Sequence, residues 1–167
     1  MKREIRFTAT YPHPVEKVWR ALTDPHAIAE WMMDNDFEPR VGHEFTLRTD
    51  PAPGFDGIVH CRVLELDAPR AMAWSWRGGP VDTVVRFSLE PVGGATRLLL
   101  VQTGFEGLRA VLVSRILESG TDRIYGRLLP DYLGRMRPDG SVEPTPVRAI
   151  RPSLATRVIA RVASWMR

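Results

Sequence analysis

The sequence has a single cysteine and no long apolar run. Cys61 cannot form a disulfide within one chain and no signal-like apolar segment opens the sequence, so we expect a cytoplasmic protein. No stretch approaches the roughly 18 consecutive apolar residues of a membrane-spanning helix. The four histidines lack the spacing of a metal site, and no Ser, His and acid triad can be assigned. We therefore expect no catalytic residue set, no metal and no cofactor.

The excess of positive charge lies at the end of the chain. Residues 145–167 contain five arginines and no acidic residue, whereas residues 1–144 contain 18 basic and 20 acidic side chains, a net charge of −2. A nucleic-acid-binding domain normally carries its basic residues on the folded body. We therefore expect no nucleic-acid partner.

The chain is long enough for one domain with a substantial core, at 167 residues and 44% hydrophobic content. We predict a domain over residues 1–136, a proline-containing linker over 137–146 and a basic amphipathic helix over 147–167. The apolar stripe of that helix consists of Leu154, Val158, Val162 and Trp165. Such a helix can pack on its own domain, hold a second subunit or lie on an anionic membrane surface.

Alternation of apolar and polar residues dominates the first two thirds of the sequence. It runs over Glu4–Thr10 and returns from Phe45 onward, where five strand segments are separated by short turns rich in glycine, proline or aspartate. The second of these segments, Gly57–Leu66, is a long strand whose inward face the pattern does not settle. Between these parts the period changes to that of a helix over Val15–Thr23. A second helix follows, for which Asp24 and Pro25 suit the N-cap and the first position. This order predicts an antiparallel sheet with two short helices after the first strand.

The segment from Leu108 to Met136 has helical periodicity instead. We predict that its inward face carries Leu108, Val111, Leu112, Arg115, Ile116 and Ser119. Pro130 is expected to bend or end this helix, because proline removes a backbone donor and clashes with the preceding turn. The predicted fold class is therefore α+β, with a curved antiparallel sheet wrapped around a long C-terminal helix.

Four stretches in this order resemble the helix-grip superfamily of START-related and polyketide cyclase-like proteins, often called SRPBCC. Within it the chain is most similar to the homologues of the heat-shock-protein ATPase activator. The stretches are PVEKVWRALTDPHAIAEWM at Pro14–Met32, EPRVGHEF at Glu38–Phe45, GIVHCRVLELDAPRAMAWSW at Gly57–Trp76 and FSLEPVGGATRLLLVQTGF at Phe87–Phe105. The resemblance implies a cavity between the concave sheet and the long helix, used across the superfamily for sterols, lipids, polyketides and hormones. It supplies no shared catalytic residue set.

The candidate ligand-binding residues are apolar and aromatic side chains with two polar ones among them. They are Trp31, Met32, Phe45, Trp74, Trp76, Phe87, Leu100, Gln102, Leu112 and Arg115. Gln102 shares the inward parity of Leu100, and Arg115 lies among the apolar positions of the long helix, so these two would orient a polar end of a ligand. The aromatic residues can equally fill a solid core, and the charge of Arg115 can reach water beyond a packed stem.

We expect the protein to bind or sense a small hydrophobic ligand in this cavity without catalysis. One alternative is a cyclase- or aromatase-like enzyme, which would require a titratable group in the cavity within hydrogen-bond reach of its substrate. The other is a co-chaperone-like protein-interaction module, although the co-chaperone role of eukaryotic relatives depends on an additional domain that this sequence does not contain.

Overall fold

The computed structural model describes residues 2–51 and 56–143. The predicted helix over 147–167 and the last residues of the predicted linker, 144–146, lie outside these ranges. Within them, no helix combines the length and the apolar character that crossing a bilayer demands.

A curved, seven-stranded antiparallel sheet forms the larger part of the fold. Its strands are β1 (Lys2–Tyr11), β2 (Asp34–Asn35), β3 (Glu44–Arg48), β4 (Ile58–Asp67), β5 (Ala71–Gly78), β6 (Val81–Val92) and β7 (Ala95–Glu106). The spatial order is β1-β7-β6-β5-β4-β3-β2, so β2 to β7 form a meander and β1 pairs with the last strand. The sequence predicts every strand except β2, because two residues are too few to show a period.

Two short helices follow β1, and one long helical segment of 28 residues follows β7. They are α1 (Val15–Thr23), α2 (Pro25–Trp31), α3 (Leu108–Arg123), a π-helical turn (Ile124–Leu128) and α4 (Leu129–Arg135). The start of α2 is as predicted, since the Asp24 side chain accepts a hydrogen bond from the amide of His26 at 2.9 Å. These elements confirm the predicted α+β helix-grip fold.

The long helix continues past Pro130 because a π turn precedes the proline. The amide of Leu129 bonds to the carbonyl of Ile124, five residues earlier, so the turn is wider than in an α-helix. Proline has no amide to donate and its ring needs room next to the preceding turn, which the wider turn provides. The interruption predicted at Pro130 is therefore a local change of helix type, and the chain stays helical to Arg135.

The concave face of the sheet and the helices enclose one main apolar core. Leu22 of α1, Ile28 of α2, Leu98 of β7 and Leu129 of α4 are at most 1% exposed. The helix α4 packs on α1 and α2, whereas α3 packs on β1 and β7. A second, smaller cluster lies beneath the start of α3 and consists of Ile5, Val81, Phe105, Ala110 and Val113.

Part of the predicted linker packs on the domain. Met136 pairs with Val142 in an isolated antiparallel bridge, and the Arg137 amide bonds to the Ser141 carbonyl at 2.7 Å. Val142 packs against the main core. Residues 137–143 therefore fold back over the end of α4.

Candidate ligand-binding site

A cavity lies between the concave face of the sheet and the long helix. It is lined by Met32, Met33, Trp74, Trp76, Val85, Phe87, Leu100, Gln102, Leu117, Gly120, Thr121, Ile124 and Tyr125. Its volume is about 50 Å³, which holds a few water molecules. Pockets for drug-sized molecules span about 300–1,000 Å³, so a ligand of that size requires the wall to move outward.

The strand side of the wall follows from the alternation of side chains along β6 and β7. Val85, Phe87, Leu100 and Gln102 are at most 5% exposed, and the intervening Arg86 is exposed on the other face. Each strand therefore presents every second side chain to the cavity, as its sequence indicates.

The helical side of the wall differs from the prediction. The residues of α3 that face the sheet recur three and four positions apart and are mostly small: Ala110, Val113, Ser114, Leu117, Gly120 and Thr121. Leu112 is 46% exposed and Arg115 is exposed as well, so the predicted placement of both in the cavity is wrong. The prediction placed the largest apolar residues inside, whereas the helix turns its smallest residues toward the sheet and thereby leaves space.

The structure brings six of the ten candidate residues together around the cavity: Met32, Trp74, Trp76, Phe87, Leu100 and Gln102. Trp31 and Phe45 are buried in the core and do not line it. The indole nitrogen of Trp31 donates to the Ala21 carbonyl at 2.9 Å. Phe45 packs edge to face on Trp74, with ring centroids 5.2 Å apart.

Several lining residues are missing from the predicted set. Val85 has the same parity as Phe87, so the signal for it is present in the sequence. One helical face of α3 and the π turn carries the small residues together with Leu117, Thr121 and Ile124. The spacing of the small residues is the sequence signal that identifies this face.

Polar atoms on the cavity wall are few. The side-chain nitrogen of Gln102 donates to Thr83 Oγ1 at 2.8 Å, and both residues are buried. Trp74 Nε1 is buried without a hydrogen-bond partner among the described residues. The lining residues include no Lys, Arg, His, Asp or Glu in the part of the chain that the structure describes. The wall therefore suits an uncharged molecule.

Among the described residues that line the cavity, Tyr125 is the titratable one. Burial, and to a lesser extent the neighbouring Tyr11 and Cys61, raises the pKa of its hydroxyl above the ordinary tyrosine value. The hydroxyl therefore stays protonated at neutral pH, where it can donate a hydrogen bond but cannot act as a general base. The main-chain carbonyl of Tyr125 accepts a hydrogen bond from the Tyr11 hydroxyl at 2.7 Å, which ties the π turn to β1.

The mouth of the cavity lies between β5 and α3. Among the lining residues, Trp76, Leu117 and Ile124 are half-buried, so the space reaches solvent beside them. On its opposite side α3 is attached to β1 through Arg3, which donates to Ser114 Oγ at 2.8 Å and pairs with Glu118. The helix is thus held along one side of the cavity and borders the mouth on the other.

A second depression, of about 470 Å³, lies on the exposed side of β3, β4 and β5. Its charged side chains include Asp36, Glu44, Arg62 and Arg77. Hydrogen bonds from the Thr46 amide at 2.6 Å and from its hydroxyl at 3.2 Å lower the pKa of the Asp36 carboxyl. That carboxylate therefore fixes the backbone of β3. Within residues 2–51 and 56–143, no group of three or more His, Cys, Asp or Glu side chains could hold a metal.

A comparison with protein families gives a match over most of the domain. The model described as "Activator of Hsp90 ATPase homolog 1-like protein" matches residues 12–134. A search among curated proteins gives no match.

Solved structures share the fold. Protein MLL2253 from Mesorhizobium loti is 33% identical with a TM-score of 0.70, and the match covers 81% of this chain and 99% of that one. CalU16 from Micromonospora echinospora is 26% identical with a TM-score of 0.59, covering 77% and 76%. DynU16, from the dynemicin biosynthetic locus, is 23% identical with a TM-score of 0.65, which shows the fold alone. That match covers 83% of this chain and 49% of DynU16, so the chain spans about half of that protein.

Proposed function

Because the chain belongs to the Activator of Hsp90 ATPase homolog 1-like family, within the SRPBCC helix-grip superfamily, we propose that it binds a small hydrophobic ligand between the sheet and the long helix, without catalysis. The observation that carries this proposal is the uncharged, largely apolar wall of the cavity, to which Trp74, Trp76 and Phe87 contribute aromatic rings. Apolar pockets with a few polar groups are the usual form of small-molecule sites.

The proposal requires the cavity to enlarge on binding, since its present volume is about 50 Å³. Three features of the wall support such a change. Met32 and Met33 line it, and methionine side chains adapt to irregular shapes because they are unbranched. Trp76 and Leu117 at the mouth are half-buried and can turn outward into solvent. The small inward residues of α3 leave little to clash with an entering molecule.

A cyclase- or aromatase-like reaction has less support. It needs a group that takes up or releases a proton beside the substrate. Tyr125 is the titratable residue on the wall, and its raised pKa keeps it protonated. No contact of the described residues favours a co-chaperone-like module.

We propose a cytoplasmic location, no nucleic-acid partner, and contact of the basic segment 147–167 with a second subunit or an anionic membrane surface. Deletion of residues 144–167 tests the last of these. A smaller number of subunits per particle in solution would support subunit contact, and reduced binding to vesicles containing phosphatidylserine would support membrane contact. If both properties are unchanged, that segment has neither role.

Ligand binding is tested with a neutral apolar fluorescent probe, N-phenyl-1-naphthylamine. We expect saturable binding of one probe per folded chain. Gln102→Leu and Trp76→Ala, at the polar wall and the mouth, should each change the dissociation constant by about fivefold or more, which corresponds to ~1 kcal/mol. The matched control is Leu112→Ala on the exposed face of α3, which should leave the constant unchanged. Absence of saturable binding to folded wild-type protein would overturn the proposal.

Native mass spectrometry of freshly purified protein is an independent measurement. A small molecule retained in the gas phase and released by Trp76→Ala would support the proposal and identify the chemistry of the ligand.

A further inference from the structure

The outer face of α3, which points away from the sheet, presents apolar side chains to solvent. Leu108 is 64% exposed, and Leu112, one turn later, is 46% exposed. Ile116 follows after a further turn and is half-buried. Because residues four apart lie on the same side of a helix, these three side chains form one row, here called the outer stripe. Water covers much of the apolar surface of Leu108 and Leu112, so this surface is available to a partner.

Positive charge surrounds the outer stripe. The other exposed side chains of α3 are Arg109, Arg115, Ser119, Asp122 and Arg123. Among residues 2–51 and 56–143, none of these three arginines forms an ion pair. The carboxylates beside them are neutralised, since Lys2 pairs with Glu106 at 3.2 Å and Arg3 pairs with Glu118. Three arginines and one aspartate give the exposed face of α3 a net charge of +2.

The charge of this face narrows the kind of partner that can cover it. A second copy docked face to face would bring like charges together, which opposes binding. The same repulsion applies to the segment 145–167 of the chain itself, because it contains five arginines and no acidic residue. Nucleic acid matches the charge but offers the exposed leucines no apolar contact. An anionic bilayer offers both negative headgroups and, directly beneath them, an apolar layer.

We propose that the outer stripe and the arginines around it form a docking surface for a bilayer that contains anionic phospholipids. Leu108 and Leu112 enter the boundary between headgroups and acyl chains, while the longer arginine side chains reach the headgroups. Each arginine held near such a surface strengthens binding by about fivefold. A bilayer can also contact the five arginines of segment 145–167 at the same time, so two basic parts of one chain reinforce each other. The inference goes beyond ligand binding and does not depend on the cavity.

The test is cosedimentation of the full chain with vesicles of phosphatidylcholine, either alone or with phosphatidylserine at about 30 mol%. We expect binding to the anionic vesicles, weakening as salt is raised because salt screens the arginines. Two double variants, Leu108→Ala with Leu112→Ala and Arg109→Gln with Arg115→Gln, should each bind about fivefold or more weakly than wild type. Neither should change the dissociation constant for N-phenyl-1-naphthylamine.

Matched controls come from the exposed side of the sheet. Leu64→Ala on β4 makes the same apolar change at a side chain that is 38% exposed. Arg62→Gln with Arg77→Gln removes the same two charges from β4 and β5, where both arginines are exposed. These controls should bind the anionic vesicles within about twofold of wild type. A loss as large as that of the α3 variants would show that total charge or apolar surface decides binding, and would overturn the inference.

A local readout separates α3 from the basic segment. Cys61, the single native cysteine, is buried, so a thiol-reactive nitrobenzoxadiazole dye labels an introduced surface cysteine selectively. On Leu112→Cys the fluorescence of the dye should shift to the blue with anionic vesicles, and on Leu64→Cys it should not. If wild type binds vesicles but the dye at position 112 does not respond, the segment 145–167 carries the binding and the inference fails. It also fails if wild type does not bind anionic vesicles, or if the dye responds to polyglutamate and not to vesicles, which would indicate an acidic protein partner. Saturable binding of N-phenyl-1-naphthylamine would leave the proposed function standing in each of these cases.

Discussion

In α3 the side chains that face the sheet are small, whereas in α4 they are large. Ala110, Ser114 and Gly120 occupy the inward face of the first half of the long helix, while Leu129 and Leu133 are completely buried in the second half. Large inward side chains hold α4 against α1 and α2, and small ones leave space between α3 and the sheet. One helical segment thus contributes an anchored half and a half that borders a cavity, and the volume of its inward residues distinguishes them.

The largest test of this difference uses the same substitution in both halves. Leu129→Ala should lower the free energy of unfolding by about 2–5 kcal/mol, because it opens a void in a fully packed site. Leu112→Ala, on the exposed face of α3, should change it by less than about 0.5 kcal/mol. Denaturant unfolding followed by circular dichroism measures both. Equal losses would contradict the assignment of the two faces.

A smaller effect is expected where the π turn between the two halves is attached to β1. Tyr11→Phe removes the hydroxyl that donates to the Tyr125 carbonyl at 2.7 Å and leaves that carbonyl in the π turn without its partner. We expect a loss of about 1–2 kcal/mol at neutral pH by the same unfolding measurement. An unchanged stability would show that the π turn does not need this bond.

The same hydroxyl makes stability sensitive to alkaline pH. Burial raises the pKa of Tyr11 in the folded state, whereas an unfolded tyrosine loses its proton at a pKa of about 10. Above that pH the unfolded state binds fewer protons than the folded state, so the free energy of unfolding decreases as pH rises. The decrease should be smaller in Tyr11→Phe. Since burial also raises the pKa of the Cys61 thiol, the difference between variant and wild type isolates Tyr11.

The smallest expected effect concerns the half that borders the cavity. Arg3→Ala removes the hydrogen bond to Ser114 and the pairing with Glu118, both of which are partly solvent-exposed. We expect a loss of about 0.5 kcal/mol in global stability, with faster amide hydrogen exchange in α3 and unchanged exchange in α4. Arg115→Ala, an exposed arginine on the same helix, is the control. Equal acceleration in α3 and α4 would show that the helix moves as one unit.

Local patterns in the sequence predict most of this fold. The alternation that places Phe87 and Leu100 inside depends only on neighbouring residues, so it can be recognised without the rest of the chain. The usual rule, which places large apolar residues inside, does not find the inward face of α3, because Leu112 lies outside and small residues mark the inward face instead. The missing partner of Trp74 is equally invisible in the sequence, since a hydrogen bond to its ring depends on residues distant along the chain.

The pairing of β1 with β7 has a consequence for the order in which the molecule is made. Lys2 lies opposite Glu106, and Tyr11 lies opposite Thr96. On the ribosome, β1 therefore emerges long before the strand that completes its hydrogen bonds, and the sheet closes only after β7 has been synthesised. Contacts between such distant parts of a chain are associated with slow folding. Until then β1 has no neighbouring strand. An unpaired strand can pair with another chain, so the nascent protein is exposed to aggregation during this time.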